Sequence, residues 1–153
     1  MADFTLSRGT RVQADPARIH ALLDDFHQWQ RWSPWEGLDP AMRREFSGPA
    51  AGVGSTYHWS GNKKAGEGQM RITESTASRV AVDLEFLKPF KATNVTTFDL
   101  TPAGEATEVT WTMTGRRNPI MALAGTLFFD KAIAADFDKG LAGIKREAEQ
   151  SAP

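Results

Sequence analysis

Apolar and polar residues alternate with a period of two in six short segments, a pattern typical of β-strands with one buried face. A weaker alternation over residues 4–12 predicts one more strand before them. Turn residues separate the segments, and short turns favour antiparallel pairing of neighbouring strands. We therefore predict a meander of strands over residues 42–46, 53–60, 67–73, 80–86, 94–100 and 109–114.

The end of the chain follows a different period. Over residues 118–149, apolar residues recur every three or four positions, as they do on one face of an α-helix. Asn118 suits the N-cap, and Pro119 suits the first helical position, where its missing N–H costs nothing. About thirty residues at about 1.5 Å each make a rod of about 45 Å. Its predicted buried face contains Ile120, Leu123, Leu127, Ala134, Phe137, Leu141, Ile144 and Ala148.

Two short helical pieces are predicted between the first strand and the meander. Asp15 and Pro16 start the first as N-cap and first helical residue. An aromatic segment with Trp29, Trp32 and Trp35 follows, and Pro34 makes one continuous helix through it doubtful. The apolar stripe of the helical pieces is predicted to contain Ile19, Leu22, Leu23 and Phe26.

These elements predict an α+β fold. Each strand has one apolar face, so the sheet needs cover on one side, and the long helix has a matching apolar face. We expect a curved antiparallel sheet of about seven strands wrapped on the C-terminal helix, with two short helices after strand 1. The 153 residues suffice for one domain with a substantial core, so residues 1–153 are expected to form a single domain.

Composition narrows the classes of partner. The formal net charge is −1, with 18 basic and 19 acidic residues interspersed, so no basic surface for nucleic acid is expected. No apolar segment approaches the about 20 residues that span a bilayer, and the N-terminus lacks a signal-peptide layout. The sequence contains no cysteine, which excludes thiolate chemistry. We expect a cytoplasmic protein without a cofactor. The edge strands also allow a homodimer, which the sequence neither favours nor excludes.

The order strand, helices, six strands, long helix resembles the helix-grip superfamily, also called START-like, Bet v 1-like or SRPBCC. The residues that carry the resemblance are Asp15 with Pro16 and Ile19, the tryptophan segment, Gly66-Glu67-Gly68, Thr107 to Trp111, and Asp136 to Lys145. The similarity spans essentially the whole chain and is greatest to small bacterial polyketide cyclase/dehydrase-like members. It implies the fold but hardly the function, because the superfamily contains lipid carriers, hormone receptors, cyclases, aromatase-like enzymes and co-chaperones.

In such folds the helix leaves a pocket above the sheet, and an apolar pocket with a few polar groups is the default ligand site. The leading hypothesis is therefore binding of a small hydrophobic or aromatic molecule, with lipid transport as one form of it. The alternative is a polyketide cyclase/dehydrase-like enzyme acting in the same pocket. A weaker third hypothesis is a protein-interaction module of the Hsp90-activator type. The sequence does not name the ligand, the pathway or the oligomeric state.

Strand alternation selects the residues expected to face the pocket. Their alternative role is simple core packing, since protein interiors are close-packed. For Asn94 and Thr96 the alternative is a frayed strand end in water. For the tryptophan segment it is attachment of the short helices to the rim of the sheet. The predicted ligand-binding residues are Trp32, Trp35, Tyr57, Trp59, Met70, Phe86, Asn94, Phe98, Trp111, Met113, Leu123 and Leu127.

Glu67 is the most unusual acid, because glycines on both sides of it indicate a bulge or a close backbone approach. If burial raised its pKa, it could act as a general base, with Tyr57 or Gln69 assisting proton transfer. Its alternative role is a surface ion pair with Lys63 or Lys64, and strand alternation favours that reading by placing Gly68, not Glu67, on the apolar face.

Other titratable groups give weaker signals. Asp83 and Glu85 share the polar face of their strand, which predicts solvent exposure. His20, Asp24 and His27 have the helical spacing that a zinc site could use, but we expect them on the outer face of the helix. We therefore predict no metal site.

Overall fold

The computed structural model of the protein describes residues 3–34, 41–62, 66–88, 91–116 and 126–150. Within these ranges, the side chains of residues 3, 4, 116 and 126–132 are not described. Predictions that fall on other positions, including the helix start at Asn118 and Pro119, lie outside the described residues.

Seven strands form one antiparallel curved sheet, in the order β1-β7-β6-β5-β4-β3-β2. Each of the last six strands pairs with its neighbour in the chain, and β1 joins the sheet beside β7. This confirms the predicted helix-grip class. The strands are β1 Asp3–Val12, β2 Arg43–Ser47, β3 Thr56–Ser60, β4 Glu67–Thr76, β5 Arg79–Lys88, β6 Ala92–Ala103 and β7 Ala106–Arg116.

The two short helices after β1 are α1 Pro16–Leu23 and α2 Phe26–Trp29, and the long C-terminal helix is α3 Thr126–Gln150. Asp15 holds the N-cap position of α1 without a side-chain capping bond, so Pro16 at the first turn is the effective start signal. Asp25 caps α2 by accepting a 2.9 Å hydrogen bond from the backbone N–H of His27.

One predicted strand begins later than its alternation indicates. Segment 53–60 was expected to be extended throughout, but β3 starts at Thr56, and Val53 lies outside it with 57% exposure. Gly52 and Gly54 explain the difference, because their φ angles of 79° and 93° belong to a left-handed turn rather than to a strand. Alternation of residue types alone does not report this backbone conformation.

Helix α3 lies along β1 and runs in the same direction. Near one end, Arg8 Nε lies 3.7 Å from Asp138 Oδ1, and near the other, the Gln13 backbone N–H donates to Glu149 Oε2 at 2.8 Å. The face of α3 toward the sheet is apolar, as predicted. Its buried residues are Ala134, Phe137, Leu141, Ile144 and Ala148.

Two glycines let α3 approach its neighbours closely. A Cβ added at Gly143 would lie 2.8 Å from the Trp32 carbonyl oxygen, and one at Gly140 would lie 2.7 Å from the Trp111 ring. Any side chain at these positions would push the helix away. The residues that follow α2 are thereby held between α3 and the sheet.

Candidate ligand-binding site between the sheet and the C-terminal helix

The strand register arranges inner-face side chains, those on the α3 side of the sheet, in rows across the strands. Asn94 on β6 lies between Leu84 on β5 and Gly115 on β7. The same row continues through Met70 and Tyr57 to Phe46 on β2. On one side of the Asn94 row, the next row contains Phe86, Gly68 and Trp59. On its other side, the next row contains Thr96, and the row after that contains Phe98 and Trp111.

Two ends of the inner face can therefore be distinguished. We call the part built around Trp29, Trp32, Phe98, Trp111 and Phe137 the tryptophan end. We call the part built around Asn94 with Leu6, Trp59, Phe86, Met113 and Ile133 the Asn94 end. The N-terminal part of β1 and the earlier part of α3 belong to the Asn94 end, because α3 and β1 run in the same direction.

The tryptophan end is fully packed. Trp111, Phe98 and Phe137 are 0% exposed, and Trp29 and Trp32 are 1% and 3% exposed. The rings of Trp111 and Phe137 stack with centroids 4.0 Å apart and an angle of 5°. Trp32 meets both Trp111 and Phe98 edge-on. The aromatic side chains of this end fill the space beneath α3 with one another.

The indole N–H groups of this end bond to the protein itself. Trp29 Nε1 donates to the Leu23 carbonyl oxygen and Trp32 Nε1 to that of Leu22, both at 2.8 Å. These carbonyls belong to the last turn of α1, which lacks helical partners for them. The two tryptophans thus attach the segment after α2 to the end of α1, which is the packing role considered from the sequence. Ligand contact by Trp32 stays a prediction.

Trp111 and Thr96 form a second internal pair. Trp111 Nε1 donates to Thr96 Oγ1 at 2.6 Å, and that hydroxyl donates to the Thr112 carbonyl oxygen at 3.3 Å. Thr96 is 2% exposed, so β6 is not frayed at this position. Phe98 and Trp111 both lie wholly within the core. Ligand contact by these two residues also stays a prediction.

The Asn94 end is less completely covered. Leu6, Trp59, Phe86 and Ile133 pack against the core but remain partly exposed. The sequence-based set contains Trp59 and Phe86 but lacks Leu6 and Ile133. Alternation along β1 would have found Leu6, whereas Ile133 lies next to the predicted helix stripe and shows its position only once α3 is placed.

Asn94 is the buried polar residue of this end. It is 5% exposed, and within the part of the chain that the structure describes its side-chain amide has no hydrogen-bond partner. Among the described residues, Arg18 Nε is the fully enclosed side-chain polar atom without a partner, so the Asn94 amide atoms still reach solvent-accessible space. The amide is therefore a ready anchor for a polar group of a bound molecule.

Trp59 occupies its position because residue 68 has no side chain. A Cβ added at Gly68 would lie 2.5 Å from a Trp59 ring atom. The Phe86 ring meets the same indole edge-on with centroids 5.9 Å apart. The expected close approach at the Gly66-Glu67-Gly68 segment is thus found at Gly68, where an aromatic side chain covers the strand.

The three candidate catalytic residues lie on two faces of the sheet. Tyr57 is on the inner face and 3% exposed. Glu67 is on the outer face, where its carboxylate lies 3.0 Å from His58 Nε2 and 3.9 Å from Lys88 Nζ. Gln69, also on the outer face, donates to Glu85 Oε1 at 3.3 Å. Glu67 and Gln69 therefore do not meet Tyr57 within one cavity.

The remaining predicted residues can be placed briefly. Met70 and Met113 are on the inner face with 6% and 2% exposure. Trp35 and Leu123, the Leu127 side chain, and the pairs expected with Lys63 or Lys64 lie outside the described residues.

The histidines of the helical region make separate contacts. His20 Nε2 is 2.9 Å from Ser75 Oγ, and its Nδ1 is 3.7 Å from Asp24 Oδ2. His27 Nδ1 instead lies 2.8 Å from Asp25 Oδ1. In the described ranges no group of three or more potential ligands could hold a metal ion. Among the described helices, none combines the length and hydropathy needed to cross a bilayer.

Solved structures share this fold at low sequence identity. MLL2253 from Mesorhizobium loti matches with a TM-score of 0.72 and 15% identity, over 98% of this chain and 100% of its own. Ara h 8.0201 matches with a TM-score of 0.66 and 11% identity, over 98% and 100%. The di-domain ARO/CYC StfQ of the steffimycin biosynthetic pathway matches with a TM-score of 0.77 and 11% identity, over 97% of this chain and 51% of its own.

Sequence comparison gives the family. No curated protein matches the chain. Residues 1–149 match the profile of the family described as "Polyketide cyclase / dehydrase and lipid transport", which confirms the resemblance found in the sequence. The chain belongs to this polyketide cyclase/dehydrase and lipid-transport family of the SRPBCC superfamily.

Proposed function

We propose that the protein binds a small hydrophobic or aromatic molecule between the sheet and α3, at the Asn94 end. The observation that carries the proposal is Asn94, a residue that is 5% exposed and whose side-chain amide has no hydrogen-bond partner among the described residues. Family membership supports it, because the family description includes both lipid transport and action on polyketides.

The contrast between the two ends supports this location. At the tryptophan end the aromatic side chains pack against each other and their N–H groups are satisfied, so a ligand would have to displace core contacts. At the Asn94 end the partly exposed Leu6, Trp59, Phe86 and Ile133 would gain burial from an apolar ligand. Each 100 Å² of apolar surface removed from water contributes about 2.5 kcal/mol before the costs of association.

Each side chain has a distinct role in the proposal. Asn94 supplies the polar contact that orients the ligand. Trp59 and Phe86 supply aromatic surface, while Met70 and Met113, with flexible thioether side chains, adapt to its shape. Tyr57 on β3 adds a phenol to the Asn94 row, beside Met70.

Catalysis of the polyketide-cyclase kind has less support from the described residues. An acid or base on the inner face would be required within reach of the ligand. On the described strands, the carboxylates of Glu67, Asp83 and Glu85 alternate onto the outer face, and no carboxylate holds an inner-face position. The inner face offers hydrogen bonding by an amide and a phenol, which favours binding.

A ligand screen with two matched variants tests the proposal. Fatty acids, sterols and aromatic polyketides would be titrated while tryptophan fluorescence and thermal denaturation are recorded. Asn94→Leu removes the amide and with it about one hydrogen bond to the ligand, so it should weaken binding about two- to tenfold. Thr96→Val is the control on the same strand and face. Its hydroxyl already bonds to Trp111, so it should lower stability and leave affinity unchanged.

Two results would contradict the proposal. The first is no binding by any ligand class to the unaltered protein. The second is binding that Asn94→Leu leaves unchanged while changes at the tryptophan end abolish it without unfolding the protein, since this would move the site away from Asn94.

A further inference from the structure

We infer that the ligand of the Asn94 end carries an acidic group, a carboxylate or a phosphate, and that Arg44 binds this group. The inference rests on the proposed function and specifies its ligand class. Two observations carry it: Arg44 is a charged residue on the apolar inner face, and it lies directly beside Trp59. Asn94 then contacts a neutral part of the same molecule.

Arg44 holds an inner-face position on β2, where alternation predicts an apolar side chain. It pairs with Trp59, and the next inner-face residue of β2, Phe46, pairs with Tyr57. On the described parts of β2 to β7, the other inner-face side chains are apolar or uncharged. A charged side chain is costly on such a face, and departures from the local pattern are expected at functional sites.

Arg44 is only partly buried, so a ligand can reach it. β2 is an edge strand, and Arg44 is half-buried on it, whereas the outer-face residues Arg43 and Glu45 are exposed. A half-buried guanidinium binds an anion more strongly than an exposed one, because water and salt screen it less. Arg44 already makes a contact within the protein, and its five N–H donors allow it to bind an acidic group as well.

Trp59 and Asn94 supply the other contacts. The Cβ atoms of a cross-strand pair such as Arg44 and Trp59 are about 4.5–5.5 Å apart, so an acid bound to Arg44 places its apolar part beside the indole. Asn94 lies four strand spacings from β2, or about 19 Å along the sheet. A ligand that contacts both polar residues therefore lies across β3, β4 and β5, with its acidic group at the edge of the sheet.

The chemistry of arginine sets the expected size of the effect. Its planar guanidinium can donate two parallel hydrogen bonds to a carboxylate or a phosphate, and such bonds are stronger than those between neutral groups. The acid loses hydration when it binds, which offsets part of this gain. We expect an acid to bind at least about fivefold more tightly than the uncharged amide of the same shape, which corresponds to about 1 kcal/mol.

Matched ligand pairs test the inference. The probes are decanoate against decanamide and 2-naphthoate against 2-naphthamide, titrated at pH 7.5 into the full chain by calorimetry or tryptophan fluorescence. The acid of at least one pair should bind at least about fivefold more tightly than its amide. Decyl phosphate, compared with decanoate, identifies which of the two acidic groups Arg44 prefers.

Two neighbouring arginines provide matched variants. Arg44→Gln removes the inner-face charge and should abolish the preference for the acid, with little change in the affinity for the amide. Arg43→Gln removes the same charge from the outer face, one residue away, and should keep the preference. Arg44→Lys retains the charge without the planar fork, so it should lose part of the preference. Thermal denaturation verifies that each variant is folded.

The outcomes separate the inference from the proposed function. If each amide binds as tightly as its acid, the inference is overturned and the proposed function stands. If the preference survives Arg44→Gln, or is lost equally in Arg43→Gln, it does not come from Arg44 and the inference is overturned. If Arg44→Gln does not fold, Arg44→Lys takes its place, and an unchanged preference there overturns the inference. If no probe binds and the wider ligand screen is also negative, the proposed function is overturned and the inference falls with it.

Discussion

The tryptophan end and the Asn94 end of the inner face are built from the same alternating strands, yet they differ in how their polar groups are treated. At the tryptophan end, Trp29, Trp32 and Trp111 each donate a hydrogen bond within the protein. At the Asn94 end, a buried amide has no such partner in the described part of the chain. Satisfaction of polar groups, rather than hydrophobicity, distinguishes core from candidate site here.

This difference indicates separate roles for the tryptophan end and the Asn94 end of the inner face. The tryptophan end carries stability, because its rings and α3 fill each other's space. The Asn94 end contributes less packing and retains apolar surface that a ligand can cover. Substitutions of similar size at the two ends should therefore affect different measurements.

The largest expected effect comes from removing a tryptophan at each end. Trp111→Ala should lower the free energy of unfolding by about 3–5 kcal/mol, because it opens a cavity, removes the ring stacked on Phe137 and removes the N–H that donates to Thr96. Trp59→Ala should cost about half as much or less, because its ring is already partly exposed. Urea denaturation monitored by circular dichroism measures both. Equal losses would contradict the distinction between the ends.

The second effect concerns the close approach of α3 to the tryptophan end. Gly143→Ala adds a methyl group 2.8 Å from the Trp32 carbonyl oxygen, and backbone cannot move aside as a flexible side chain can. We expect a loss of about 1–2 kcal/mol, after the gain in helix propensity is subtracted. Ala142, the exposed neighbour on the same helix, is the control. There Ala142→Gly should destabilise the protein by about 1 kcal/mol. Alanine is therefore expected to be the more stable residue at position 142, and glycine at position 143.

Much of the architecture could be predicted from the sequence because it depends on period and on turn chemistry. The period-two segments located the six later strands, and Asp15 with Pro16 located α1. The predicted start of β3 was wrong, because the positive φ angles of Gly52 and Gly54 form a turn where the alternation at Val53 had indicated a strand. Alternation is local, whereas positive φ at glycine is visible only in the folded backbone.

For the candidate site, the sequence predicted which side of the sheet each residue faces, but not whether that residue belongs to the packed core. Alternation placed Phe98 and Asn94 on the same side of β6, and both are buried there. It could not indicate that Phe98 belongs to a filled core while the Asn94 amide lacks a partner, because this depends on α1, α2 and α3 meeting one end of the sheet. The outer-face position of Glu67 was favoured by alternation, but its contact with His58 required the register between β3 and β4.

A smaller effect with the opposite sign is expected at Asn94 itself. Without ligand, Asn94→Leu should raise the free energy of unfolding by less than about 1 kcal/mol, because no hydrogen bond within the described residues is lost and an apolar side chain of similar size gains more from burial than the amide does. Thr96→Val should lower it, because the Trp111 N–H then loses its acceptor. Thermal denaturation of the two variants gives the comparison. Destabilisation by Asn94→Leu would mean that the amide has a structural role.

The smallest expected effect is a change in melting temperature at the surface of the tryptophan end, where Glu149 on α3 contacts β1. Its carboxylate accepts hydrogen bonds from Lys145 Nζ at 2.7 Å and from the Gln13 N–H at 2.8 Å, and these bonds lower the pKa of Glu149 below its ordinary value. A lowered folded-state pKa adds stability that is fully present above the unfolded-state pKa and is lost as pH falls through the folded-state pKa.

Glu149→Gln should therefore reduce the melting temperature slightly at neutral pH, and the difference from the unaltered protein should disappear as the pH falls below the folded-state pKa of Glu149. The effect stays small because the carboxylate is exposed to solvent and salt screens the Lys145 pair. Glu105→Gln, in the turn between β6 and β7, is the matched control and should leave the melting temperature unchanged. A Glu149 effect that persists unchanged at acid pH would show that packing, rather than charge, joins α3 to β1 at this end.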